Sequence, residues 1–146
     1  MNVPTDESHV FLAVSDFGDD PSLVTSLLDL SPTQAWHVGD PLPNHPTALR
    51  NHSRWTFRSP LPLSAHVDEH MEALLSLLEL LAPRIRDCAA RFPTELRCAI
   101  YYRQSFTPGI HLSETTLQRV AALGVPLDFE LYFVGANGDS DIIGAA

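Results

Sequence analysis

Apolar and polar positions alternate strictly in three stretches, Arg54 to Arg58 (RWTFR), Leu96 to Arg103 (LRCAIYYR) and Leu127 to Val134 (LDFELYFV). That period of two is the mark of strands with one face in a core. It predicts Trp55, Phe57, Leu96, Cys98, Ile100, Tyr102, Leu127, Phe129, Leu131 and Phe133 inward. Arg54, Thr56, Arg58, Arg97, Tyr101, Arg103, Asp128, Glu130 and Tyr132 fall on the other face. Val10 to Phe17 (VFLAVSDF) is apolar on both faces and reads as a central strand, and a further strand is expected at Ala35 to Val38.

Three other stretches repeat every three or four residues. Asp20-Pro21 opens a short helix carrying Leu23, Val24, Leu27 and Leu28, with an acceptor at the N-cap and proline where a missing N–H costs nothing. Ser64 is expected to cap the longest helix, whose stripe of Val67, Met71, Leu74, Leu78, Leu81, Ile85, Cys88 and Phe92 is broadened by Leu75, Leu77 and Leu80. Pro83 removes a donor and predicts a kink near Glu79. Ser113 caps a last helix that ends at Gly124, with Pro126 beyond it.

The order strand, helix, strand, strand, long helix, strand, helix, strand predicts an α+β fold. It is a two-layer sandwich with an antiparallel-rich sheet, helices on one face, a ferredoxin-like βαββαβ core and a C-terminal αβ extension. Residues 9–134 are expected to form the domain, with 1–8 and 135–146 as flexible tails. Gly39 to Ser53 holds three prolines and no period, and reads as a long loop.

Composition narrows the class. A chain of 146 residues with 45% hydrophobic and 18% charged residues suits one soluble domain, and a chain of that size buries roughly two-thirds of its unfolded surface. There is no basic leader before an apolar run and no apolar run near the ~20 residues of a membrane span, so a cytoplasmic location without membrane contact is expected. All nine basic residues are arginine, and the net charge is −9. That excess argues against nucleic acid, which needs a basic surface, and permits a basic protein partner. Cys88 and Cys98 fall on core positions and read as reduced, buried thiols.

Candidate chemistry is sparse. His66, Glu69 and His70 fit the H-x-x-E-H pattern of inverted zinc proteases, but a zinc site needs a third protein ligand and a cleft, and the apolar stripe leaves both histidines on its solvent side. His37, His45 and His52 lie near Asp40 without any ligand spacing. Asn137 to Asp141 resembles a calcium loop that lacks its terminal glutamate. No nucleophile elbow, phosphate loop or dinucleotide fingerprint is present, so no catalytic residue, metal or cofactor is expected. The outward sheet face is the distinctive surface: Arg54, Arg58, Arg97, Tyr101, Arg103 and Tyr132 form the candidate binding surface, since arginine and tyrosine anchor protein interfaces. Cross-strand ion pairing on a wet face is the structural account of the same residues.

Phe17-Gly18-Asp19, Leu30 to Trp36 (LSPTQAW), Gly39-Asp40-Pro41, the Trp55 strand, the helix with His70 and Leu74, and Leu112-Ser113 through Leu123-Gly124 to Tyr132 together resemble a bacterial family, domain of unknown function 4279. The resemblance spans about residues 9 to 134 and rests most on Trp36, Gly39, Asp40 and Trp55. It implies no activity and no catalytic residue. The four residues read as structural, with both tryptophans packed under the long helix and Gly39-Asp40 forming a turn. A small acidic domain without a catalytic constellation is expected to be a non-enzymatic protein-binding module of immunity or inhibitor type. The alternative is a small-molecule-binding domain or small enzyme using the open sheet face. The sequence leaves the oligomeric state open.

Overall fold

The computed structural model describes residues 5–104 and 109–134. Strand β1 (Glu7–Ser15) is followed by helix α1 (Ser22–Leu28), β2 (Gln34–Trp36), a hairpin of β3 (Pro41–Leu42) and β4 (His45–Leu49), and β5 (Arg54–Arg58). Helix α2 (Val67–Leu78) passes through one 3-10 turn, Glu79–Leu81, into α3 (Ala82–Arg91), and then come β6 (Thr94–Tyr102), α4 (Glu114–Leu123) and β7 (Leu127–Phe133). The main sheet runs β2-β5-β1-β6-β7. All pairings are antiparallel except β6 with β7, which is parallel. Four strands therefore have the ferredoxin-like order, and the αβ extension adds a parallel edge.

Register fixes the two faces. Leu12 lies between Phe57 and Leu96, Val14 pairs Trp55, and Val10 pairs Cys98. On this side Val10, Leu12, Val14, Trp55, Leu96 and Cys98 are fully buried and join Val24, Leu28, Met71, Leu74, Leu75, Leu78, Ile85, Cys88 and Leu123 of the helices in one cluster. Alternation in the strands and three-four spacing in the helices thus meet in a single core. Leu77 and Leu80 do not widen it, being 46% and 87% exposed: Leu77 lies off the buried face of α2, and Leu80 falls in the 3-10 turn Glu79–Leu81, which buries no residue.

Local chemistry accounts for the helix ends. Asp20 accepts from the Ser22 N–H at 2.9 Å, and the Ser113 hydroxyl accepts from the Thr116 N–H at 3.1 Å. The long helix is capped by His66 rather than Ser64: its backbone N–H donates to Glu69 Oε1 at 3.1 Å in a reciprocal capping box. The break falls where Pro83 predicts it, with proline in the first turn of α3. Arg84 and Arg86 of α3 donate to the carbonyls of Leu27 and Ala122, tying it to the last turns of α1 and α4.

Two expectations change here. The segment 39–53 is not a plain loop, since β3 and β4 pair across Pro43-Asn44. Strand β1 begins at Glu7, inside the stretch expected to be a tail, because Glu7 and Ser8 register with Tyr101 and Ile100. Residues 135–146, with the calcium-like Asn137 to Asp141, lie outside the described residues.

Candidate functional site

The second face of the sheet is the candidate site. Register puts Gln34 and Trp36 of β2, Arg54, Thr56 and Arg58 of β5, Glu7, His9, Phe11 and Ala13 of β1, Glu95, Arg97, Ala99 and Tyr101 of β6, and Asp128, Glu130 and Tyr132 of β7 on it. The described helices pack on the other side, so among the described residues the small ones here are covered by their longer neighbours. Ala13 is 1% and Ala99 8% exposed. Arginine stems supply that cover while their heads remain at the surface.

Arg97 is the electrostatic centre. Its guanidinium lies 2.8 Å from Glu95, 3.3 Å from Asp128 and 2.8 Å from Glu130, so carboxylates from β6 and β7 meet both of its terminal nitrogens. Beside it Tyr132 donates to Glu130, a bond that pushes the phenol pKa up to about 12, with burial and the nearby negative charge adding to it. Tyr132 stacks on Tyr101 with centroids 4.8 Å apart, and His9 meets Tyr101 edge-on at 5.4 Å. Arg103, at the end of the strand, reaches Glu7 at 3.9 Å while its backbone N–H donates to Asp6 at 2.7 Å.

The β5 side is built differently. Arg54 lies over Phe11 at 5.8 Å, and its nearest carboxylate, Glu95, is 4.0 Å away. Burial first, and then repulsion from Arg97, lowers the Arg54 pKa against the pull of Glu95, Glu130 and Tyr132. Arg58 is exposed and has no ion pair among the described residues. A groove of about 220 Å³ runs between His9, Phe11, Trp36, Arg54, Thr56 and Arg58.

Trp36 corrects the expectation that both tryptophans lie under the long helix. Trp55 is fully buried among the core residues and donates to the Thr25 hydroxyl of α1 at 3.1 Å. Trp36 pairs with Arg54 in register and lies on the opposite, open face. Arg50 stacks on it at 3.9 Å and His52 meets it edge-on at 6.0 Å. The turn behind it is structural. Gly39 has φ +93, Asp40 accepts from the His37 N–H at 2.9 Å and from its ring at 3.0 Å, and Gly39 and Arg50 are joined by a backbone bond of 2.9 Å. The turn thereby holds Arg50 against Trp36.

His70 also departs from expectation. It is 1% exposed rather than on the solvent side, with Nδ1 2.7 Å from the buried Ser59 hydroxyl. Its Nε2 makes no hydrogen bond of normal geometry. Burial lowers its pKa, helped by His9 and Arg58 and opposed by Glu69 and the Pro62 carbonyl. With Glu69 engaged in the cap, His66, Glu69 and His70 form a helix start and a core contact rather than a ligand set. Among the described residues no three His, Cys, Asp or Glu side chains converge as metal ligands, and no helix is long and apolar enough to cross a membrane. A larger cavity of about 520 Å³ lies between the ends of β1 and β6 and the start of α2, lined by Asp6, His66, Asp68, Tyr102 and His111 among others.

The sequence thus located the arginine and tyrosine face, and the structure brings Arg54, Arg58, Arg97, Tyr101, Arg103 and Tyr132 together on it. It missed Phe11, Trp36 and Glu95. The strand partners were the missing signal, because only register shows which side of β1 and β2 joins the face.

No curated protein and no solved structure shows a significant match to this chain. The family described as domain of unknown function (DUF4279) matches residues 6–134, nearly the whole chain and all of the main sheet, and the protein belongs to that family.

Proposed function

We propose that the protein is a non-enzymatic protein-binding module of immunity or inhibitor type, acting in the cytoplasm through the open face of its sheet. One observation carries this: among the described residues no helix packs on one face of the five-stranded sheet, and that face presents Phe11, Trp36, Tyr101 and Tyr132 among four arginines. Aromatic and arginine side chains dominate the energetics of protein interfaces. Arg54, Arg58, Arg97 and Arg103 are matched by Glu7, Glu95, Asp128 and Glu130, so the net charge of −9 comes from the remaining residues of the chain. That excess attracts a basic partner at long range, while the balanced face makes the short-range contacts.

A small ligand on the same face is the second reading. The groove of about 220 Å³ favours it, but lies below the roughly 300 to 1,000 Å³ of ordinary ligand pockets, so a protein surface fits better. A tagged pull-down from the native host tests the proposal, with Tyr101→Ser/Tyr132→Ser as the face variant and Leu80→Gln on the helical layer as control. A specific protein retained by the native chain and the control, and lost by the tyrosine pair, supports it. Equal retention by the tyrosine pair, or no retained protein, refutes it.

A further inference from the structure

We infer that the groove between Trp36, Arg54 and Arg58 is a carboxylate-binding subsite that receives an Asp or Glu side chain of the partner; this rests on the sheet face being the recognition surface. The argument is one of unequal compensation across a single face. Arg97 has three carboxylates within 3.3 Å, whereas Arg54 shares one of them at 4.0 Å, through the same Glu95 oxygen that already lies 2.8 Å from Arg97. Arg58 and Arg50 have no ion pair among the described residues, although the chain carries twice as many acidic residues as basic ones. Arg50 stacks on the Trp36 ring, Arg54 and Arg58 line the groove beside it, and the carboxylates of the face lie on β6, β7 and the start of β1.

The surroundings suit a carboxylate. Arg54 is held with its side chain 19% exposed, and its Nε, like those of Arg50 and Arg97, is buried without an acceptor among the described residues. Gln34, Thr33 and Thr56 add neutral polar groups to the lining, and Phe11 and Trp36 give apolar walls that lower the local dielectric. An incoming carboxylate meets preset, undercompensated charge, the condition under which a charge-assisted bond is strong. Glu95 is the internal competitor, since the oxygen that lies 2.8 Å from Arg97 is also the one 4.0 Å from Arg54.

Glutarate is the probe, with glutaramide as its uncharged isostere, followed by the indole N–H signals in two-dimensional NMR after Trp36→Phe has assigned them. Saturable shifts at Trp36 with glutarate and none with glutaramide are expected. Arg58→Gln should weaken binding about tenfold, the loss of one charge-assisted contact, and Glu95→Gln should tighten it. No saturable shift, equal shifts with glutaramide, or weaker binding in Glu95→Gln would overturn the inference. Inorganic phosphate binding where glutarate does not would overturn the carboxylate assignment. The titration contains no partner, so its failure removes the subsite and leaves the sheet-face proposal standing. Insensitivity of the partner to the tyrosine pair refutes the sheet-face proposal and with it the groove's role in partner binding, while carboxylate binding in the groove is read by the titration alone.

Discussion

Trp55 Nε1 donates to Thr25 Oγ1 at 3.1 Å, which fastens the largest side chain of the core to helix α1. A buried indole must find an acceptor, and this one comes from a short helix that buries only Val24 and Leu28. Thr25→Val keeps the shape and removes the acceptor, leaving the donor unsatisfied. A loss of about 1 to 3 kcal/mol is expected in urea unfolding. Trp55→Phe combined with Thr25→Val should lose less beyond Trp55→Phe alone, since no donor remains. Additive losses would show that the bond contributes nothing.

His70 gives a pH dependence with a definite sign. Its folded pKa lies below the ordinary histidine value of about 6.5, so the unfolded chain binds more protons between the two values. The stability contributed by its neutral form is complete above about pH 6.5 and is lost as the pH falls through the folded value. Thermal unfolding at pH 7.5 and 5.5 should show a drop in Tm that is smaller in His70→Asn, which keeps a polar atom near Ser59. An equal drop in both proteins would place the titration elsewhere.

Gly124 ends α4 with φ +73, and a Cβ there would lie 3.1 Å from Cγ of Arg86. Gly124→Ala therefore meets a left-handed backbone and a crowded arginine stem at once. A cost of about 1 to 2 kcal/mol is expected. Arg86→Ala in the same chain should recover the part due to crowding and leave the backbone part. Chemical denaturation of the two variants and their double mutant separates these contributions.

How much of this was legible before the structure depended on the length of each pattern. Strands β5 and β7 lie where alternation puts them, because five to seven alternating residues leave only one face for the core. The strand carrying Trp36 has three residues, too few to show a period, and apolar character alone then puts a tryptophan inside. The β3–β4 hairpin was hidden by its prolines, which a two-stranded ribbon tolerates because both of its strands are edges. His70 is polar on a buried helix face, and its acceptability depends on Ser59, eleven residues earlier, which no helical period reveals. At the site, the arginines were visible, but their unequal compensation was not. Strand β6 starts at Thr94, so Glu95 joins the face, and only the register of β1, β6 and β7 assigns that carboxylate to Arg97 rather than Arg54.

The pairing of β1 on both sides has a consequence for synthesis. Val10, Leu12 and Val14 are made before every other strand of the main sheet, yet their partners are Trp55 and Phe57 on one side and Leu96 and Cys98 on the other. At about 5 to 20 residues per second, the central strand spends on the order of 10 s in the nascent chain before its second neighbour exists. The most apolar strand of the molecule is therefore also the one that must wait longest, and closure of the sheet is timed by the emergence of β6.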